Sequence, residues 1–181
     1  IIQNVFLNCH FNEAKTNNLF IEMISNQKTD FSRYNYFYAS YVASTGNLKD
    51  AKRIVSNALE NHPRNLLLNQ YKIDLSKNKN VLAFSCKKEE HIIAEILYIT
   101  ANALSSQSIY PLSNFYLNLS KYLNENFHSF NTLLAENFYK TDNFKKAKDI
   151  YINLSKNGEA FNWHSSQQLA RILIQNKNLN E

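Results

Sequence analysis

Between Tyr36 and Pro63, in the stretch YFYASYVASTGNLKDAKRIVSNALENHP, apolar and small residues recur at spacings of three and four on either side of a break at Gly46. That pattern predicts two amphipathic helices joined by one short turn. The small residues hold fixed places: Ala39 in the first helix, Ala51 and Ala58 in the second, at intervals of 12 and 7, with Pro63 stopping the second helix 5 residues later. Small side chains belong where two helices approach closely, and Tyr38, Leu48, Ile54, Val55 and Leu59 fill the space around them. Asn47 followed by Asp50 supplies an N-cap and its reciprocal acid just ahead of the second helix.

The same pattern recurs along the chain. Ile1, Ile2, Val5, Phe6 and Cys9 share one helical face, and a second helix carries Leu19, Phe20, Met23 and Ile24. Phe11 to Ala14 echo Leu48 to Ala51, which makes 1–31 a partial repeat; Ala14 then precedes Ala51 by 37 residues, with the surplus assigned to the polar connection from Ser25 to Asp30. The repeat 32–65 is the best formed. The segment 66–93 reads as a shortened unit: a first helix over Leu66 to Lys77 with Leu67, Leu68, Tyr71 and Leu75 inward, a short second helix near Val81 to Cys86, and a loop through Lys87 and Lys88. Blocks 94–127 and 128–161 restore the period, with Ala101 and Ala135 at the place of Ala39, and Ala147 standing 12 beyond Ala135. Ser113 and Ser120 replace alanines, and Pro111 opens its helix in the first turn, where proline is tolerated. A last partial repeat, 162–181, has a first helix from about Trp163, with Leu169, Ala170, Ile172 and Leu173 apolar, and a new turn at Asn178 to Glu181.

These residues and intervals resemble the tetratricopeptide repeat, a helix-turn-helix unit of about 34 residues. The resemblance covers nearly the whole chain and implies an all-α fold, a right-handed α-α superhelix or solenoid of stacked helix pairs in one array over 1–181. The run AEILYITANALSSQ, followed by LLAENFYKTDNFKKAKDIY, is similar to the carboxy-terminal half of long alphaproteobacterial tetratricopeptide proteins, which implies further repeats before Ile1. In this family the first helices line a concave groove that holds an extended peptide or a partner's helix. Matched to those helices, the groove candidates are Arg33, Tyr36 and Ser40; Glu95, Tyr98 and Asn102; Thr132, Glu136 and Tyr139; and Gln167 and Arg171. A carboxylate clamp of the chaperone-binding kind is not expected, because Tyr36 and Ser40 stand where it needs Lys and Asn.

Composition supports helices: 2 Gly and 2 Pro in 181 residues leave too little turn chemistry for a many-stranded β fold. A net charge of +5 raises nucleic acid as a partner. The lysines are scattered, however, and the densest runs, Lys87-Lys88 and Lys145-Lys146, are two long. Glu95 and Glu136 on the expected groove would repel phosphate, and Arg33, Glu95 and Ser129 share a register without common chemistry. The expectation is a protein-protein interaction scaffold, with helical-repeat RNA binding, or an arm of a larger enzyme, as alternatives. No run reaches the roughly 18 apolar residues of a membrane span. No targeting signal is read, which makes cytoplasm the default.

No cofactor or metal is expected, nor catalysis. Cys86 with Glu89, Glu90 and His91 is the one local cluster imaginable as a thiol-imidazole or metal site, and nothing fixes its geometry. Cys9 and Cys86 are too few for a disulfide framework and read as small buried apolar residues. Open repeat ends also suggest end-to-end self-association of the chain.

Overall fold

The structure, a computed structural model, describes residues 1–26, 30–77 and 83–175. Among these the fold is all-α, with ten α-helices, a single 3-10 turn at Ser155–Asn157 and no strand. The helices are α1 (Ile2–His10), α2 (Thr16–Ile24), α3 (Tyr34–Ser44), α4 (Leu48–Asn61), α5 (Leu66–Ser76), α6 (Glu89–Ser106), α7 (Tyr110–Leu123), α8 (Ser129–Lys140), α9 (Phe144–Leu154) and α10 (Glu159–Gln175). The chain divides into two compact units, Ile1–Ile92 and Ile93–Glu181.

One turn geometry joins the helices into pairs. After α1, α3, α6 and α8 the backbone enters the left-handed region two residues past the helix, at Asn12 (φ 59°), Gly46 (φ 88°), Ser108 (φ 62°) and Asp142 (φ 56°). At each turn the next N–H reaches five residues back to close a Schellman bond: Glu13 to Asn8 O, Asn47 to Val42 O, Ile109 to Leu104 O and Asn143 to Phe138 O, at 2.9, 3.3, 2.9 and 2.9 Å. Only Gly46 takes that φ without a Cβ penalty; Asn and Asp tolerate it, and Ser108 is held there by the closing bond. Asn12 precedes Gly46 by 34 residues, and Ser108 precedes Asp142 by 34. The period is therefore carried by the backbone turn even where the residue changes.

This corrects the register of the first unit. Phe11 and Ala14 lie in the turn and are exposed, whereas Ala51 is fully buried, so Ala14 is not its counterpart. The Glu13 carbonyl accepts from both the N–H and the hydroxyl of Thr16, at 3.0 and 2.6 Å, and that double bond starts α2 at Thr16. Two further expectations shift. The last described helix begins at Glu159 rather than near Trp163, since the backbone breaks at Gly158 (φ 139°) and Asn162 N–H already bonds the Gly158 carbonyl at 2.8 Å. Ala83 to Cys86 are not helical; the remainder of that expected second helix, Val81 and Leu82, lies outside the described residues, as do part of the connection Ser25 to Asp30 and the turn expected at Asn178 to Glu181.

In the first unit α3 packs on α4, and α2 and α5 each pack on α3. Ala39 and Ala51 are fully buried, and Ala58 is buried beside them. Asn47 caps α4 by accepting from Asp50 N–H at 3.1 Å, while the Asp50 carboxylate takes the Asn47 amide rather than the backbone N–H. Asn65 and Asn143 cap α5 and α9 in the same way, through Leu68 and Lys146 N–H.

In the second unit α7 packs on α8, α8 on α9 and α9 on α10. The small residues again sit inside: Ala101, Ser113, Ser120, Ala135 and Ala147 are all fully buried. Serine for alanine brings a hydroxyl that needs a partner. Ser113 donates to the Ala101 carbonyl at 2.7 Å and accepts from Asn137 Nδ2 at 2.8 Å. Asn137, itself fully buried, also donates to Asn114 Oδ1 at 2.9 Å and accepts from the Ser105 hydroxyl at 2.6 Å. A satisfied polar network thus ties α6, α7 and α8 where an apolar core would leave their register free.

Overpacking at the buried alanines is expected to cost about 1–3 kcal/mol, so Ala51→Leu and Ala135→Leu should each lower the urea midpoint. Ala14→Leu, at an exposed turn, should change stability by no more than about 0.5 kcal/mol. Equal midpoints for all three variants would remove the small-residue register.

Candidate functional site

In the first unit residues 83–88 are not helical and lie against α1 and α3. Phe84 is buried, its ring 5.2 Å from Phe6 of α1 and 4.6 Å from Phe37 of α3, centroid to centroid. Its carbonyl accepts from the Ser40 hydroxyl at 3.3 Å, and the Ser85 N–H donates to His91 Nδ1 at 3.0 Å. Cys86 is joined to Cys9 by a disulfide with Cα atoms 5.9 Å apart. The cysteines are buried, as expected, but they are crosslinked rather than two free apolar side chains: a turn at the end of α1 and the non-helical segment bring together residues 77 apart in sequence.

Charge finishes this attachment. Lys87 Nζ donates to the Cys9 and His10 carbonyls at 2.6 and 3.0 Å, and to Asn12 Oδ1. Those carbonyls lie in the last turn of α1, where that of Cys9 also accepts from Asn12 N–H at 3.3 Å and the helix dipole favours a cation. His10 Nδ1 lies 3.0 Å from the Cys86 carbonyl, and its Nε2 is 3.8 Å from Glu89. A cleft of about 280 Å³ opens beside the crosslink, bounded by Phe37, Ser40, Tyr41 and Ser44 on α3 and by Phe84 to Lys87 opposite.

The remaining expected groove residues divide by accessibility. Tyr36 and Ser40 are buried, as is Glu95. The Tyr36 ring packs 4.9 Å from Tyr71, and burial pushes the Tyr36 phenol far above its ordinary range and the Tyr71 phenol up to about 12. Arg33 is half-buried with its guanidinium 5.6 Å from the Phe37 ring centre.

In the second unit the candidates gather. Tyr98 of α6 lies 5.5 Å from Phe130 of α8 and is half-buried, and Asn102 one turn on is exposed. Thr132, Glu136 and Tyr139 follow along α8, Thr132 with its hydroxyl on the Ser129 carbonyl at 2.7 Å. Arg171 of α10 stacks over the Tyr139 ring at 3.9 Å and pairs with Glu136 at 3.4 Å, while Gln168 accepts from it at 3.3 Å. Gln167 and Arg171 are exposed. Side chains of α6, α8 and α10 therefore meet in two places, Tyr98 with Phe130 and Arg171 with Tyr139 and Glu136, planar and partly in solvent.

Phe84, Lys87 and Asn137 were not singled out by sequence reasoning. Asn137 carried a signal, a polar residue next to Leu134 and Ala135 on an apolar helix face; Phe84 and Lys87 carried none, because their partners are more than 40 residues away. The cluster Cys86, Glu89, Glu90 and His91 has no free thiol, and among the described residues no group of three His, Cys, Asp or Glu could hold a metal ion. No helix among them is long and apolar enough to cross a membrane. Comparison with protein-family models, with curated proteins and with solved structures finds no match to this chain.

Two measurements check the attachment. Lys87→Met should lower the urea midpoint by an amount worth about 1 kcal/mol, and Lys88→Met should not. Burial, and at His91 also the Lys88 charge, holds the imidazoles of His91, His128 and His164 below the ordinary value of 6.5, with Glu90 and Glu136 pulling His91 and His164 the other way. The unfolded chain then binds these protons first as pH falls, so stability is full above about 6.5 and declines below it until the lower folded values are passed. Urea midpoints should drop between about pH 7.5 and about pH 5.5, and His91→Asn, which keeps an acceptor for Ser85 N–H, should shrink the drop.

Proposed function

We propose that this chain is a tetratricopeptide-type repeat protein, its helix pairs stacked as a right-handed α-α solenoid in a single array, which binds an extended peptide or a partner's helix along its first helices. The observation that carries the reading is the row on α6, α8 and α10. The Arg171 guanidinium is stacked on Tyr139 and held by Glu136, Tyr98 of α6 packs on Phe130 of α8, and Asn102 and Gln167 are exposed on α6 and α10. Aromatic and guanidinium planes offer contact area at low entropic cost, and amides beside them pair with a peptide backbone. The repeated turns support the repeat class, with 34 residues between Asn12 and Gly46 and again between Ser108 and Asp142. Scaffolding needs no cofactor and no catalytic group. RNA binding fits less well, because Glu136 sits at the centre of the row.

Affinity selection of a random peptide library on the intact, oxidised protein tests this reading. A consensus peptide should bind the wild type and lose about tenfold or more in affinity against a combined Asn102→Ala, Tyr139→Ala and Gln167→Ala variant. No consensus, or one that ignores the variant, would overturn it; a parallel pool of single-stranded RNA bound with steep salt dependence would favour the nucleic-acid reading.

A further inference from the structure

Residues 83–88 occupy, in the first unit, the place that a bound peptide takes in the proposed groove. They cross the first helices α1 and α3 and insert one aromatic side chain, Phe84, between Phe6 and Phe37. A main-chain carbonyl takes a hydrogen bond from Ser40, itself one of the residues expected to face a ligand. The next residues anchor the far end: Cys86 to Cys9, the Cys86 carbonyl to His10, and the Lys87 ammonium to the end of α1.

We propose that this segment is an internal occupant of the α1–α3 surface, locked by the Cys9–Cys86 disulfide, and that reduction of the disulfide frees the surface for a peptide with an aromatic residue in the place of Phe84. The inference rests on the groove reading above for the location of the surface, and adds its ligand class and its control. The chemistry is an ordinary thiol-disulfide exchange. A thiolate of a dithiol reductant attacks the Sγ of Cys86, the less enclosed of the two residues at 7% exposure against 0% for Cys9. The S–S bond breaks and Cys9 leaves as a thiolate that takes a proton from water. The second thiol of the reductant then resolves the mixed disulfide, so Cys86 emerges as a thiol and the reductant as a disulfide, two electrons and two protons having passed. After reduction the segment still has the Phe84 insertion, the hydrogen bonds of Phe84, Ser85 and Cys86, and three from the exposed Lys87 side chain. The helices beneath also pack on one another without the segment: Phe6 meets Phe20, Tyr34 and Phe37, and Tyr36 meets Tyr71. On this proposal the segment leaves while α1 stays packed on α2, α2 on α3 and α3 on α4.

The test uses the whole protein, oxidised and after dithiothreitol, together with a Cys9→Ser, Cys86→Ser double variant that needs no reductant. Trypsin should cut after Lys87 and Lys88 about tenfold faster in the reduced protein and in the variant than in the oxidised protein, with the far-UV circular dichroism unchanged. A labelled peptide Ala-Phe-Ser-Ser-Lys-Lys, the segment with serine in place of its cysteine, should bind the reduced protein and the variant about tenfold more tightly than the oxidised protein, and its Phe-to-Ala version should not bind. Free thiols in the oxidised protein, cleavage indifferent to reduction, peptide binding equal in both forms, or loss of helical signal on reduction would each overturn the proposal, the last by making the disulfide a structural staple. The library selection reads side chains of α6, α8 and α10 with the disulfide intact, so the two readings fail separately.

Discussion

Two helices can approach closely only where neither carries a bulky side chain at the crossing, and both units are built on that constraint. Ala39 and Ala51, Ala101 and Ser113, Ala135 and Ala147 each stand 12 residues apart, and all six are buried. The interval follows from the geometry: the small residue on the first helix sits about one and a half turns before its end, the Schellman turn takes a fixed number of residues, and the second helix brings its own small residue back to the same level. Ser113 turns its close approach into a hydrogen bond to the Ala101 carbonyl, whereas the Ser120 hydroxyl bonds back along its own helix to Tyr116. The aromatic residues then fill the wider spaces to either side.

The same constraint explains what happens when a unit is short. After α5 there is no room in the chain for another full-length helix before α6 begins at Glu89, yet α1 and α3 still present an apolar surface between Phe6 and Phe37. A single aromatic side chain fills it, and the surrounding contacts are the ones a short peptide would make: backbone to side-chain hydrogen bonds, a cation on a helix end and, here, a covalent bond. The first unit is thus closed by a segment that contributes little helix and several specific anchors, while the second is closed by helix on helix and by the Asn137 network.

The sequence by itself determined the helices and the turns between them. Apolar spacing of three and four, asparagines ahead of helices, Gly46 and Pro63 at the breaks, and the recurrence of small residues are all local signals, acting within one or two turns of chain, and they placed α3, α4, α7, α8 and α9 and the burial of Ala39, Ala51, Ala58, Ala101, Ala135 and Ala147, though not of Ala170, which is exposed. They failed where a local echo misled: Phe11 to Ala14 look like Leu48 to Ala51 but fall in a turn, because the Thr16 hydroxyl and N–H fix the start of α2 instead. Only the tertiary structure decided the pairing of Cys9 with Cys86, the insertion of Phe84, the capping of α1 by Lys87 and the meeting of Arg171 with Tyr139 and Glu136. Each joins residues from about 30 to 80 apart, and which of many possible partners meets depends on how the helices pack, a quantity that no window of sequence contains.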